Sequence, residues 1–153
     1  MKQAMHTTSI DKFPLKWRWT EEKYCLFSEN ELAQITPLAP SSANVVWRTS
    51  LRFTSEAGDM SPSTSFFERI ERIDAEDEDA VREWLSKKLP ATEVIVSWQP
   101  DVAVLVNTEL IVKRWSEFCY AGSDDLSFWP LNESWVVHCS HENILWYGKS
   151  VNL

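Results

Sequence analysis

The sequence predicts an α+β domain, with helices mostly in the N-terminal half and a C-terminal antiparallel sheet of about four to five strands carrying one helix. Three observations predict it. Apolar residues recur at helical spacing between residues 29 and 89, and after Pro90 β-branched runs and tight turns take over. The chain has 153 residues, of which 44% are hydrophobic and 25% charged, the balance of a single globular domain spanning 1–153. Nine tryptophans, at 17, 19, 47, 84, 98, 115, 129, 135 and 146, supply aromatic surface for a rigid core, a recognition face or both.

Residues 1–14 read as a loose arm. Leu15, Trp17 and Trp19 alternate with Lys16 and Arg18, the period of a half-buried strand over Leu15–Thr20. Ser28 with Glu31 forms a capping-box pattern and opens a short helix to Ile35, which Pro37 and Pro40 break. Ser41 or Ser42 then caps a second helix carrying Val45, Val46, Trp47 and Leu51. Residues 54–65 (TSEAGDMSPSTS) read as a surface loop and as the segment best suited to move. Phe66, Phe67, Ile70 and Ile73 fall on one helical face. Asp74, with Asp77 three residues later, starts a helix bearing Ala80, Val81, Trp84, Leu85 and Leu89, stopped by Pro90.

Val94–Trp98 and Val102–Val106 are β-branched runs around Gln99-Pro100-Asp101, either a hairpin or a strand and an extended arm. Thr108 and Glu109 open a helix through Leu110, Ile111, Val112, Trp115 and Phe118. Leu126–Trp129, Trp135–Ser140 and Leu145–Lys149 complete the sheet, with His141-Glu142-Asn143 as a tight connection between the last two. Trp84 and Trp115 lie on apolar helical faces and belong to the core.

Charge and composition exclude several functions. The net charge is −8, and residues 90–153 hold eight acids against Lys113, Arg114 and Lys149 alone. Nucleic-acid binders need a basic patch to displace counterions, so DNA, RNA and anionic membrane surfaces are poor partners and a basic protein is a better electrostatic match. Gly58, Gly122 and Gly148 are the only glycines, so neither GxGxxG nor a P-loop exists and no cofactor is expected. No stretch approaches the roughly 20 apolar residues of a membrane helix. The opening MKQAMHTTSIDKF has no apolar h-region, and the expected location is the cytoplasm. Cys25, Cys119 and Cys139 are odd in number and scattered, as buried thiols in a reducing compartment are.

The candidate contact residues are few. Asp124 and Asp125 form a paired carboxylate between a helix and a strand, able to engage Arg or Lys as well as to cap a turn. Trp129 and Trp135 stand at strand ends, where one face can be wet, and Trp146 is adjacent to Tyr147, so the two point to opposite sides of a strand. Asp124, Asp125, Trp129, Trp135 and Trp146 are therefore the candidate partner-binding residues. The acidic run Asp74, Glu76–Asp79 suits a helix N-terminus, whose dipole favours carboxylates. His138, Cys139 and His141 lack metal-site spacing, and no metal is expected. Ser123, Asp125, His138 and His141 are parts for a Ser/His/Asp centre, but without a GxSxG elbow no catalytic residue is assigned.

Two resemblances add to this. Trp115-x-x-Phe118, Ser123-Asp124-Asp125, Pro130, Trp135 and a closing hairpin through His141-Glu142 and Tyr147-Gly148 resemble the sheet end of SUKH-type immunity proteins, small bacterial domains that bind and neutralise toxins. That resemblance covers about a third of the chain and implies partner binding. IDKFPLKWRWT, ELAQITPL and the chain around them are similar to a small proteobacterial domain family without an assigned function. Neither carries a catalytic residue. The expected function is a non-catalytic binding protein that contacts a basic protein through an acidic face, immunity- or antitoxin-like in its sharpest form. The alternatives are an aromatic-lined pocket for a small molecule or sugar, with or without turnover, and a homodimer that buries exposed aromatics.

Overall fold

A computed structural model describes residues 5–120 and 122–150. The chain folds as α+β, with a sheet larger than predicted: seven strands, all paired antiparallel, in the order β1-β4-β3-β5-β6-β7-β2. The strands are β1 (Thr36–Pro37), β2 (Arg69–Asp74), β3 (Glu93–Gln99), β4 (Val102–Asn107), β5 (Leu126–Pro130), β6 (Trp135–Ser140) and β7 (Ile144–Lys149). The helices are α1 (Trp17–Thr20), α2 (Glu29–Ala33), α3 (Pro40–Phe53), α4 (Glu78–Lys88), α5 (Thr108–Lys113) and α6 (Trp115–Phe118).

Two crossovers explain why both faces of the sheet are buried. β1 and β2 lie on opposite edges, and α3 runs between them over one face, packing Ala43, Val46 and Phe53 on Ile95, Ala103, Trp129 and Val136. From β2 the chain returns through α4 to the central β3 across the other face. There Val81 and Leu85 join Trp19, Leu110, Ile111, Trp115 and Phe118 over Val96, Phe128, Val137 and Tyr147. The central strands are accordingly near-continuous apolar runs, with β5 and β6 buried at every residue.

Several elements differ from their sequence reading. Leu15–Thr20 is not a strand: Trp17–Thr20 is one helical turn, which sends Trp19 into the core and also buries Arg18. Pro40 does not break α2 but occupies the first turn of α3, where its missing N–H costs nothing, with Ala39 rather than Ser41 or Ser42 at the cap position. Phe66–Ile73 is not a helical face. Ile70 and Ile73, three apart, point to opposite sides of the edge strand β2 and pack against the two opposite core layers. Asp77, not Asp74, caps α4, its Oδ1 accepting from the Ala80 N–H at 3.0 Å. The predicted helix from Thr108 to Phe118 is interrupted at Arg114 (φ −118°, ψ 28°), giving α5 and α6.

Other expectations match the structure. Ser28 and Glu31 form the reciprocal capping box. β3 and β4 form a hairpin around Pro100-Asp101, and Ser140–Ile144 closes the β6–β7 hairpin. Residues 5–14 are tied down rather than loose: Thr8 N–H donates to Pro37 O at 3.0 Å, His6 N–H to Ser42 Oγ at 2.8 Å, and Phe13 is buried. Residues 1–4 of that arm lie outside the described residues. Residues 55–65 contain no helix or strand, yet they pack on β7: Trp146 Nε1 donates to Asp59 O at 3.1 Å, and Pro62 is buried. No helix among the described residues is long and apolar enough to cross a membrane.

Candidate functional site

Antiparallel pairing brings several connections to one end of the sheet. The β3–β4 turn, the entry to β5, the β6–β7 turn and the exit from β2 all lie there, because Ser127 pairs with Ser97, Ser140 with Ile144, and Asp74 with Ile144. These segments carry Asp101, Asp124, Asp125, Glu142, Asp74, Glu76 and Asp77, and residues 75–77, 100–101, 122–125 and 141–143 contain no Lys or Arg. All of these carboxylates are exposed except the half-buried Asp124. The row crosses from β4 to β2, roughly 24 Å at about 4.8 Å per strand. The opposite end is mixed, with Arg69 and Lys149 among Glu68, Glu93 and Glu133.

Asp124 is a structural carboxylate. Arg18 grips it end-on, Nη1 to Oδ2 at 2.6 Å and Nη2 to Oδ1 at 3.1 Å, and Asp124 Oδ2 also accepts the Tyr120 N–H at 2.9 Å. The Arg18 guanidinium lies 3.9 Å from the Tyr120 ring centre, and Trp17 stands beside Tyr24 and Tyr120 at 4.6 and 5.9 Å. The same corner caps α6: Trp98 Nε1 and Arg18 Nη1 donate to Phe118 O at 2.9 and 3.3 Å, and Trp19 Nε1 donates to Glu117 O at 3.0 Å. These donors satisfy carbonyls that a helix end leaves without partners.

Asp125 is the accessible carboxylate of the pair. Its Oδ1 accepts the His141 backbone N–H at 2.8 Å, and His141 Nδ1 lies 2.9 Å from Oδ1 and 3.2 Å from Oδ2. The carboxylate raises the His141 pKa above its ordinary value, first by hydrogen bonding and then by charge.

The candidate tryptophans do not join this end. Trp129 and Trp135 are 1% and 3% exposed, so they are core residues rather than contact residues, and they lie on opposite faces towards the other end of the sheet. Trp129 meets Phe53 edge-on at 5.7 Å, and Trp135 packs on Phe128 and Tyr147. The reason is the double cover: β5 and β6 are buried at every residue, so their ends have no wet side. Trp146 is half-buried, beside the Arg72 guanidinium at 5.3 Å and under the 55–65 segment. The aromatics that do reach the acidic end are Trp17, Trp47 and Tyr120, placed there by α1, α3 and the α6–β5 connection. The only sequence signal for them was the tryptophan excess itself.

The other titratable groups are apart from this site. His138 is fully buried on the α3 side, its Nδ1 2.6 Å from Ser127 Oγ and its Nε2 3.2 Å from Phe53 O; burial lowers its pKa to about 4. Cys139 points to the opposite face, where a hydrogen bond with Cys119 and then burial push its thiol well above the ordinary range. His138, Cys139 and His141 therefore do not converge, and the described residues contain no group of three His, Cys, Asp or Glu able to hold a metal. Ser123, Asp125, His138 and His141 do not form a triad either: Ser123 Oγ donates to Tyr120 O, and His138 pairs with Ser127 away from Asp125. A second ion network lies beneath α2, where Arg114 holds Glu31 at 3.0 and 3.1 Å and draws its pKa down to about 2.

No family model, curated protein or solved structure matches this chain.

Proposed function

We propose that this chain is a non-catalytic, cytoplasmic binding protein that docks a basic protein surface on the acidic end of its sheet. One observation carries the reading: the turns at that end bear Asp74, Glu76, Asp77, Asp101, Asp124, Asp125 and Glu142 without a Lys or Arg among them. Aligned carboxylates of one sign steer an oppositely charged partner and set its register. Asp124 is neutralised by Arg18, so Asp101, Asp125 and Glu142 supply the accessible charge of the row from β4 to β7. A toxin antidote is the sharpest form of this reading, supported by the resemblance of the β5–β7 region to immunity domains.

The test compares the tagged chain with an Asp101→Asn/Asp125→Asn/Glu142→Gln variant in capture from lysate at low and high salt. The expected result is one stoichiometric basic protein, released by salt and held about tenfold more weakly by the variant. Equal capture by both forms, or no basic partner, overturns the reading. Sedimentation that finds only self-association replaces it with a homodimer.

A further inference from the structure

A cavity of about 260 Å³ opens beside the acidic end, lined by Arg18, Trp47, Trp98, Gln99, Ser123 and Asp125 among others. It joins the two sides of the sheet. Trp47 comes from α3, over one face, and Trp98 belongs to the core layer on the other, at the point where β3 shifts register against β4 between Ser97 and Gln99. Such a bulge re-aims a side chain.

The lining has donors in want of an acceptor. The Arg18 side chain is only 7% exposed; its Nη atoms are taken by Asp124 and Phe118 O, but its buried Nε has no partner among the described residues. The Trp47 indole N–H and the Gln99 amide also meet no acceptor among the described residues, and the half-buried Trp47 ring stacks on no other ring there. Arg18 Nε is sealed from the cavity, whereas Gln99 is exposed and Trp47 half-buried, so water reaches these two donors and the oxygen of an occupant can replace it.

Charge narrows the class. Arg18 and Asp124 cancel, which leaves Asp125 to repel anions. A cation would suit Asp125 but offers no acceptor to the Trp47 indole or the Gln99 amide. Hydroxyl groups do both: the oxygen accepts from Trp47 or Gln99, and the hydrogen is donated to Asp125. The C–H face of a saturated ring also has the apolar Trp47 surface to lie on. At about 30 Å³ per water in the liquid, the volume equals about nine waters or one six-membered ring, and it falls below the roughly 300–1,000 Å³ of drug-sized pockets. We propose that this cavity binds a neutral polyhydroxylated ring, a pyranose or cyclitol, free or at the end of a glycan. The cavity shares Asp125 with the acidic end, and binding of the ring by the chain alone tests it apart from the protein partner proposed above.

Saturation-transfer NMR and intrinsic tryptophan fluorescence test it on the full chain with methyl glucoside, methyl galactoside, methyl mannoside, myo-inositol and maltotriose, and with glucuronate as the anionic probe. Trp47→Ala and Gln99→Ala alter the rim of the site, and circular dichroism checks that both variants keep the fold. The expected result is saturable binding of at least one neutral probe with quenching of emission, about tenfold weaker in Trp47→Ala through loss of the stacking surface, and weaker still for glucuronate. Tighter binding of maltotriose than of methyl glucoside assigns the site to a chain end; the reverse assigns it to a free sugar. Absence of transfer and quenching with every neutral probe overturns the proposal, as does binding that neither variant changes.

Discussion

Arg18 holds the Ser123–Asp125 turn in place, and the two carboxylates of that turn behave oppositely because only one of them meets it. Asp124→Asn leaves a guanidinium with 7% side-chain exposure facing a neutral amide, and the expected cost is about 3 kcal/mol in urea denaturation. Asp125→Asn removes an exposed partner and changes stability by less than about 0.5 kcal/mol. It lowers the His141 pKa towards its ordinary value in an NMR titration, because the carboxylate that raises it is gone. His138 sets a separate acid limit. Its pKa is about 4 in the folded protein against 6.5 for an unburied imidazole, so below about 6.5 the unfolded chain takes up a proton that the folded chain refuses. Stability is whole above that pH and falls by on the order of 3 kcal/mol as the pH drops to about 4. Urea midpoints across that range check it, and the slope flattens in His138→Gln. Glu31 acts lower: its stabilisation is present above about 4.5 and is lost as the pH falls towards 2. Composition alone pointed to Asp124 and Asp125. Arg18, 106 residues from Asp124, carried no signal, because an ion pair between distant segments leaves no spacing to read.

The elements that sequence patterning identified are those whose local signal and tertiary setting agree. The capping box of α2 and the β-branched runs of β3 and β4 are stated by their own residues and then kept by the fold. The misread elements are those in which tertiary contact decides. The alternation in LKWRWT gave way to a helical turn once Trp19 could reach Glu117 O and Arg18 could reach Asp124. β2 reads as a helix because each of its faces packs one half-buried isoleucine, so the two sit three apart instead of alternating. The remaining positions of β2 are Arg69, Glu71, Arg72 and Asp74, charges that discourage pairing along its open edge. The 55–65 segment is fastened to β7 by close approach: a Cβ at Gly148 would come within 2.8 Å of Pro62 Cβ and 3.1 Å of Phe67 Cβ. Gly148→Ala is expected to cost about 1–3 kcal/mol and to lift that segment from Trp146. Thermal melting and faster proteolysis between residues 55 and 65 check both effects.

At the scale of the whole molecule, the charge is unevenly distributed. Adjacent strands lie about 4.8 Å apart, within the roughly 8–10 Å over which salt screens charges, so carboxylates carried at neighbouring strand ends repel one another when salt is dilute. The melting temperature is expected to rise as sodium chloride is added, and to rise less in the Asp101→Asn/Asp125→Asn/Glu142→Gln variant. The order of the strands has a further effect, on time. β2 has only one neighbour, β7, and their pairs join Asp74 to Ile144 and Arg69 to Lys149, residues 70 to 80 positions apart. While the ribosome is still making residues 75–143, β2 has no strand to join, and the layer of α3 has only part of the surface it will cover. Assembly therefore waits for synthesis of the last hairpin, and it must close long loops before it gains from them. A nascent chain halted before Ile144 should stay sensitive to protease across β2, whereas one extended past Ser150 and clear of the exit tunnel should resist. Until that point the protein depends on whatever in the cell shields unpaired strands from one another.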